Sequence, residues 1–427
     1  MMRFAEALRR LNARQPEHMP GPSLERIREI AALLDQPQLT YPSIHVTGTN
    51  GKTTAARVAA SVACAHGITV GLYTSPHLLS VTERFWVCGQ DISEEEFAQE
   101  WEHLDPFLQL VDGRGSGEVT YFEAVTALAY LWFADKPVGL GVFEVGMGGT
   151  WDATNLVDGE VAVITPIGMD HVAELGPTLE DIAREKAGIL KPGATAVFRE
   201  QEPEAAAVLA GRGAEVGSTP RWGGEDWEVE ERLLAVGGQA FRLRGLHATY
   251  EDLYLPLFGD YAVHNTAAGI VAVEALTGQP LHEETLREGL AAVQSPGRLE
   301  IVALQPSVIL DGAHNPAGAA ALAKAMRESF RWERLHLVLA ISANKDLAGI
   351  CAPLAPLADE AYVARNESVR SADPADVADA LGRPAASFGS VAAALAAARA
   401  AADPRDIVLV TGSLFTVADA KRALAAR

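Results

Sequence analysis

One stretch constrains this chain more than any other: Gly48-Thr49-Asn50-Gly51-Lys52-Thr53-Thr54, preceded by the apolar run Ile44-His45-Val46 and followed by Ala55-Ala56-Arg57-Val58-Ala59-Ala60. The order is strand, glycine loop, Lys-Thr, helix. Glycines let backbone N–H groups turn toward phosphate oxygens, and the helix N-terminus adds partial positive charge. Lys52 can reach terminal phosphates, and the Thr53 hydroxyl can ligate Mg²⁺. Two residues separate Gly48 from Gly51, where the common phosphate loop has four. An ordinary glycine turn before a helix has no need of Lys-Thr-Thr, so the stretch reads as a nucleoside triphosphate site.

Over the first two hundred residues of the 427-residue chain, short apolar runs alternate with helical patterns. Strands are expected at Ser43–Thr47, Thr69–Thr74, Val138–Val145, Val161–Ile167 and Ala194–Phe198. Helices are expected near Thr53–His66, Ser93–Leu110, Tyr121–Phe133 and Leu179–Leu190, with Ser93 and Glu96 as a capping box. This predicts an α/β fold whose mostly parallel sheet carries helices on both faces. Trp227–Leu257 alternates polar and apolar residues around Gly237-Gly238, as an antiparallel hairpin would. Tyr261–Leu276 reads as a helix. A second α/β block begins near Arg298, with strands at Leu299–Ala303, Val308–Leu310, Leu335–Leu339, Glu360–Val363 and Ile407–Val410. Gln294-Ser295-Pro296-Gly297 is a hinge candidate. The expected domains are residues 1–297 and residues 298–427.

Charge excludes some functions. A net charge of −21 argues against a general nucleic-acid surface, which needs clustered Lys and Arg. Anionic substrates must then meet a local basic pocket. Cys64, Cys88 and Cys351 are far apart and form no CxxC pair, so no disulfide framework or metal cluster is expected, and a reducing cytoplasm fits. The start, Met1-Met2-Arg3-Phe4-Ala5-Glu6, places an acid where a signal peptide would be apolar. No run is long and apolar enough to span a bilayer.

Three further strand ends carry polar groups. Phe143-Glu144-Val145-Gly146-Met147-Gly148-Gly149 ends a buried strand in an acid and a glycine turn, where Glu144 could hold Mg²⁺ or its water. Trp151-Asp152-Ala153-Thr154-Asn155 follows as a possible substrate wall. The strand Val161–Ile167 leads to Asp170-His171 at another strand-to-loop junction. In the second block, Asp311-Gly312-Ala313-His314-Asn315-Pro316 could be turn chemistry alone or, with Arg298 nearby, a second half of a nucleotide site. Lys186, by position alone, reads as a solvated helical lysine.

Together these motifs make the chain resemble the folylpolyglutamate synthase/dihydrofolate synthase family, the folate branch of the Mur ligase superfamily. The resemblance runs from His45 to Phe415. Its motifs are His45–Thr54, Tyr73-Thr74-Ser75-Pro76-His77-Leu78, Thr120-Tyr121-Phe122-Glu123, Glu144–Asn155, Asp311–Pro316 and Thr411-Gly412-Ser413-Leu414; Glu83-Arg84 and Cys88–Ser93 also look like family segments. The resemblance implies a phosphate-loop mononucleotide-binding domain followed by a smaller Rossmann-like domain. It implies an ATP-dependent amide ligase that adds L-glutamate to dihydropteroate or a reduced folate through an acyl phosphate. It assigns Thr49, Asn50, Gly51, Lys52, Thr53 and Thr54 to the ATP phosphates, with Asn265, Arg298 and Asp311 as further ATP positions. Thr53, Ser75, Glu144, His171 and, as a carbamate, Lys186 match metal positions for Mg²⁺, as two ions in the family's pattern, and K⁺ is a further candidate. Lys186 matches a lysine that the family carbamylates. Tyr121, Phe122, Glu123, Trp151, Asp152 and Ala153 match the pterin-side pocket; His314 and Ser413 match the glutamate side. Lys52, His171, Lys186 and His314 are the expected catalytic set. A cytoplasmic monomer with small-molecule partners is implied, with no nucleic acid or membrane.

Two departures stand out. The family usually has Gly-Ser after the loop lysine, where this chain has Thr53-Thr54, as in cell-wall Mur ligases. Tyr261-Ala262 replaces the family's His-Gln before the helix asparagine, which leaves adenine contacts unassigned. Competing readings are a cell-wall Mur ligase, which lacks the Ser75–Leu78 and Tyr121–Glu123 signatures, and a regulatory NTPase. Asn344-Lys345-Asp346 echoes a base-reading motif of such switches without its intervening residue.

Overall fold

A computed structural model describes residues 2–16, 23–114 and 117–426. Met1, part of the N-terminal reading, lies outside them. Eight strands form the first sheet: β1 (Ser43–Thr47), β2 (Val70–Tyr73), β3 (Phe85–Val87), β4 (Gln90–Asp91), β5 (Leu140–Glu144), β6 (Val161–Ile164), β7 (Thr195–Phe198) and β8 (Thr219–Trp222). Their order is β4-β3-β2-β5-β1-β6-β7-β8. The β2–β5–β1–β6–β7–β8 pairings are parallel, and β3 and β4 add an antiparallel edge. All five residues of β1 and of β5 are buried, as parallel strands covered on both faces must be. The helix Lys52–Ala65 returns the chain from β1, and the expected Ser93–Glu96 capping box opens the helix Glu94–Asp112.

Strand order makes the site. β1 lies between β5 and β6, with Val46 beside both Glu144 and Val163. The carboxyl ends of these three strands therefore deliver the Gly48 loop, the Glu144 loop and the Thr165–His171 loop to one edge of the sheet. Crevices at such reversals of strand order are where open α/β sheets bind ligands.

Beyond this sheet, β9 (Glu228–Ala235), β10 (Gly238–Arg244) and β11 (Thr249–Leu255) form a three-stranded sheet. Two residues, Val236-Gly237, join β9 to β10, so the expected hairpin is present with one more strand. A six-stranded sheet follows: β12 (Glu300–Ala303), β13 (Ser307–Leu310), β14 (Leu335–Leu339), β15 (Glu360–Ala364), β16 (Ala386–Phe388) and β17 (Ile407–Thr411), in the order β12-β13-β17-β14-β15-β16. Only β12 is antiparallel to its neighbour. The chain divides into two compact units: Met1–Arg232, Phe241–Tyr254 and His264–Val293 in one, and Leu233–Ala240, Leu255–Val263 and Gln294–Arg427 in the other.

One expectation is overturned. Cys64 and Cys88 form a disulfide with Cα atoms 5.8 Å apart, and only Cys351 is free, buried in the second unit's core. Sequence separation hid the pairing. Cys64 ends the helix before β2, and the antiparallel β2–β3 pairing carries the chain back to the start of β2, where the Cys88 N–H donates to the Val70 carbonyl. The argument from unpaired cysteines to a reducing compartment goes with it.

Candidate active site

The phosphate loop is tightly built. Gly48 has φ 144° and Gly51 has φ 93°, in the region that L side chains avoid. A Cβ at Gly48 would strike Thr165, and one at Gly51 would lie 2.6 Å from Asn265 Oδ1. Thr49 fastens the loop to its neighbour: its N–H donates to the Pro166 carbonyl (3.0 Å), its hydroxyl donates to the Gly168 carbonyl (3.0 Å), and the Gly168 N–H donates back to that hydroxyl (3.0 Å). Gln201 holds the same neighbour from β7's side through the carbonyls of Ile164 and Thr165 and the N–H of Ile167. Thr54 is buried at the start of the helix, and Asn50 is half-buried at the loop's tip.

Two cations and one anion surround this loop. Lys52 Nζ donates to the carbonyls of Gly48 (3.1 Å) and Thr49 (3.3 Å). Lys186 Nζ donates to the same Gly48 carbonyl (2.9 Å). Lys186 is only 4% exposed, so the solvated-lysine reading of its position is wrong; the helix Leu179–Lys186 turns it inward. Burial, reinforced by the Lys52 charge, lowers Lys186 to about 7, against the opposing pull of Asp170, Asp152 and Glu185. Glu144 is 2% exposed. Its Oε1 accepts from the Thr53 hydroxyl at 2.7 Å and its Oε2 from the Ser75 N–H at 3.3 Å. A buried carboxylate against a hydroxyl, all hard oxygen donors, fits Mg²⁺.

His171 stands differently. It adopts φ 51° just before the short helix Val172–Leu175, its side chain is 41% exposed, and its Nδ1 lies 4.0 Å from Glu174. Its neighbour Asp170 accepts from the His171 N–H and is buried.

The expected pterin-side residues form a second cluster in the same unit. The Arg84 guanidinium lies over the Tyr121 ring (5.4 Å) and its Nε donates to His77 Nδ1 (3.0 Å). Phe122 packs where Gly146 has no side chain; a Cβ there would be 2.6 Å from the ring. Asp152 caps the turn Ala153–Leu156, accepting from the N–H (3.0 Å) and hydroxyl (2.5 Å) of Thr154 and from the Met147 N–H (2.9 Å). Burial raises it to about 6, opposed by these hydrogen bonds. Behind it, His45 Nε2 meets Thr154 Oγ1 at 2.8 Å; full burial pulls His45 down to about 3, so it is neutral. Ala153 is buried, and its carbonyl accepts from the Tyr130 hydroxyl; Trp151 packs at Gly148. Glu123 is committed to structure: it closes a capping box with Thr120 and pairs with Arg26 at 2.9 Å, both side chains buried.

The other unit holds its own constellation. Asp311 accepts from the N–H groups of Leu299 (2.9 Å) and Ala313 (2.8 Å), which pin the strand end; burial raises its carboxyl, opposed by the Arg298 charge. Arg298 donates to the Gly297 carbonyl, and a Cβ on Gly312 would clash with its guanidinium. His314 Nδ1 sits 2.8 Å from the Gly312 carbonyl. Asn315 caps the helix Pro316–Ser329 and Ser413 caps Leu414–Ala425, so both have structural duties that turn chemistry anticipates. Tyr261 is pushed well up by burial and the Asp311 charge. Sequence reasoning missed Arg26, Gln201 and Arg199. Each acts on a residue distant in sequence, and no local pattern marks such partners.

A glycine phosphate loop at the strand reversal of one α/β unit, with a second parallel-sheet unit after it, defines a nucleotide-dependent ligase of the Mur type. Residues 46–273 match the Mur ligase middle domain, and residues 297–414 match the Mur ligase glutamate ligase domain. The chain is 41% identical over 389 residues to the dihydrofolate synthase/folylpolyglutamate synthase of Mycobacterium tuberculosis, covering 87% of this chain and 80% of that one. It superposes on the Mycobacterium tuberculosis folylpolyglutamate synthase complexed with ADP with a TM-score of 0.94 and 38% identity, covering 99% and 98% of the two chains. On Escherichia coli FolC in complex with DHPP and ADP the TM-score is 0.88 at 36% identity, covering 100% and 98%. The chain belongs to the dihydrofolate synthase/folylpolyglutamate synthase branch of the Mur ligase family.

Proposed function

We propose that this chain is an ATP-dependent ligase that joins L-glutamate to dihydropteroate or to reduced folates. The observation that carries this reading is the convergence of Lys52, Thr53, Glu144 and Lys186 on one phosphate loop, in a chain whose relatives bear that activity in their names. A carboxylate is a poor electrophile until one oxygen can leave as phosphate. The pterin-side carboxylate takes the terminal phosphoryl group of ATP, the glutamate amine attacks the resulting acyl phosphate, and phosphate departs as the amide forms.

The residues divide this labour. The N–H groups of Asn50–Thr54 cradle phosphate oxygens, with Thr49 fastening the loop behind them, and Lys52 exchanges its loop carbonyls for the transferring phosphoryl group. Mg²⁺, when bound with ATP, would offset the charge of the reacting anions, held as two ions through Thr53, Ser75, Glu144, His171 and a carbamylated Lys186, with K⁺ as a further cation. Lys186 is suited to carbamylation because burial leaves much of its amine neutral near pH 7, and a carbamate supplies the anionic oxygens a cation seeks. Tyr121, Phe122, Trp151, Asp152 and Ala153 form the pterin-side wall, with Glu123 supporting it from beneath. Asn265, Arg298 and Asp311 serve ATP; His314 and Ser413 serve glutamate. Residues 1–297 thus carry the phosphate-loop and pterin functions, and residues 298–427 the glutamate side together with Arg298 and Asp311. A monomer acting in the cytoplasm, where ATP is abundant, is sufficient.

The test is ADP release with ATP and Mg²⁺, with and without dihydropteroate plus glutamate, and mass analysis of the product. ADP release that ignores both co-substrates would overturn the reading.

A further inference from the structure

We propose that Arg199 is a positioning residue for nucleotide binding, which holds the Asn265 carboxamide in the orientation that presents its NH₂ group beside the phosphate loop. Arg199 directly follows β7, and its N–H donates to the Ile164 carbonyl (3.0 Å), so it stands at the same carboxyl edge of the sheet as the loop. Its side chain is turned inward, and the residue is 9% exposed. One guanidinium nitrogen donates to Asn265 Oδ1 at 2.8 Å, across 66 residues of sequence.

A guanidinium can only donate, so the amide atom it meets must be the oxygen. That fixes Nδ2 as the opposite arm of the carboxamide. The amide lies directly against Gly51: a Cβ there would be 2.5 Å from Asn265 Cγ and 2.6 Å from Oδ1, with Nδ2 also in contact. Asn265 is 2% exposed and sits in the helix Asp260–Thr277, so its amide can rotate about its last torsion but has little room to leave. Rotation by half a turn would set a carbonyl oxygen, an acceptor with negative partial charge, beside a loop that binds anionic phosphates. The Arg199 hydrogen bond is lost in that rotamer, so Arg199 selects the donor-forward one. Glycine at position 51 therefore answers two demands: its positive φ and the flat approach of this amide.

The inference rests on the reading that Asn265 and the loop hold ATP, and the experiment separates the two. MgADP affinity is measured by calorimetry for the full chain and for Arg199→Met, Asn265→Ala, the double variant and Asn265→Asp, alongside KM for ATP and kcat. Arg199→Met is expected to bind ADP about tenfold more weakly, to raise KM for ATP by a similar factor and to leave kcat within about twofold, a split that general loosening of the fold would not give. The double variant should bind no more weakly than Asn265→Ala, since Arg199 acts through that amide. Arg199→Lys should recover part of the loss. Asn265→Asp keeps the acceptor facing Arg199 and replaces the donor with oxygen, so it should lose ADP affinity while remaining at least as heat-stable as the parent. Normal ADP binding by Asn265→Ala would sink the nucleotide role of Asn265 and the inference with it. Weak binding by Asn265→Ala but normal binding by Arg199→Met, or additive losses, would overturn the positioning role alone. Should Arg199→Met fail to fold, Asn265→Asp decides: ADP affinity equal to the parent's overturns the proposal.

Discussion

Replacing Lys186 with methionine should stabilise the protein while abolishing ligation. An ordinary lysine titrates at 10.5, and burial with the nearby Lys52 charge brings Lys186 to about 7. Between these values the unfolded chain holds a proton that the folded chain has released. Folding stability therefore rises with pH across this window, at about 1.4 kcal/mol per pH unit. Below pH 7 both states are protonated, and the buried ammonium costs the fold its full penalty, about 5 kcal/mol at that slope. Lys186→Met carries no such penalty. Its advantage over the parent should be greatest at and below pH 7 and should shrink by about 1.4 kcal/mol per unit toward pH 10. Urea unfolding of both proteins in CO₂-free buffer, from pH 6 to pH 9.5, measures this as a difference that cancels other titrating groups. The same depression leaves about half of Lys186 as free amine at pH 7, about a thousandfold more than an ordinary lysine offers. Adding ¹³C-bicarbonate should therefore give a carbamate resonance in the parent that is absent from Lys186→Met. Parallel stability curves for the two proteins, with no carbamate signal, would refute the reasoning.

Three other outcomes follow from the site. Lys52→Ala should keep the parent's circular dichroism and lose at least about a thousandfold in kcat, because in the proposed reaction its ammonium offsets charge on the transferring phosphoryl group; near-normal turnover would count against the loop's role. Glu144→Gln and His171→Ala should each raise the Mg²⁺ concentration needed for half-maximal rate, and together they should cost much less than the sum of the single losses, since both serve the same ions; strictly additive kinetics would argue against a shared metal role. Glu123→Ala removes the buried carboxylate that pairs with Arg26 and should lower stability by about 3–5 kcal/mol, seen as an earlier urea transition, whereas an unchanged transition would show that the pair contributes nothing net.

Much of the fold was legible in the chain because its signals are local. β1 and β14 lie where apolar runs bounded by turn residues put them, and Ser93–Glu96 caps its helix as short-range hydrogen bonding requires. Edge elements escaped: β3, β4, β8 and β16 lie at or next to the ends of their sheets, where less of a strand is covered and its apolar signal is weaker, and the helices Phe4–Asn12 and Glu25–Leu33 lie before the first strong motif. At the site, Lys52, Thr53 and Glu144 were readable because a phosphate loop and a strand-end acid each announce themselves within a few residues. Lys186 was legible only through the family resemblance, since helical spacing does not say which face a single turn buries. The Cys64–Cys88 bond and the Arg199–Asn265 contact likewise depend on chain segments that meet only after the sheet has ordered itself.

The sequence by itself determined the kind of fold, the phosphate loop and the family, since these rest on residue types at short, fixed spacing. Tertiary structure decided which polar groups share a charge. By setting β5 between β1 and β2 it brought Thr53, Glu144 and Ser75 to one another. It took Lys186 out of water and so pulled its ammonium's pKa down to about 7. It also spent Glu123 on Arg26 and Asp152 on its own turn. Burial and electrostatic pairing are properties of the space around a group, and that space exists only once distant segments have packed.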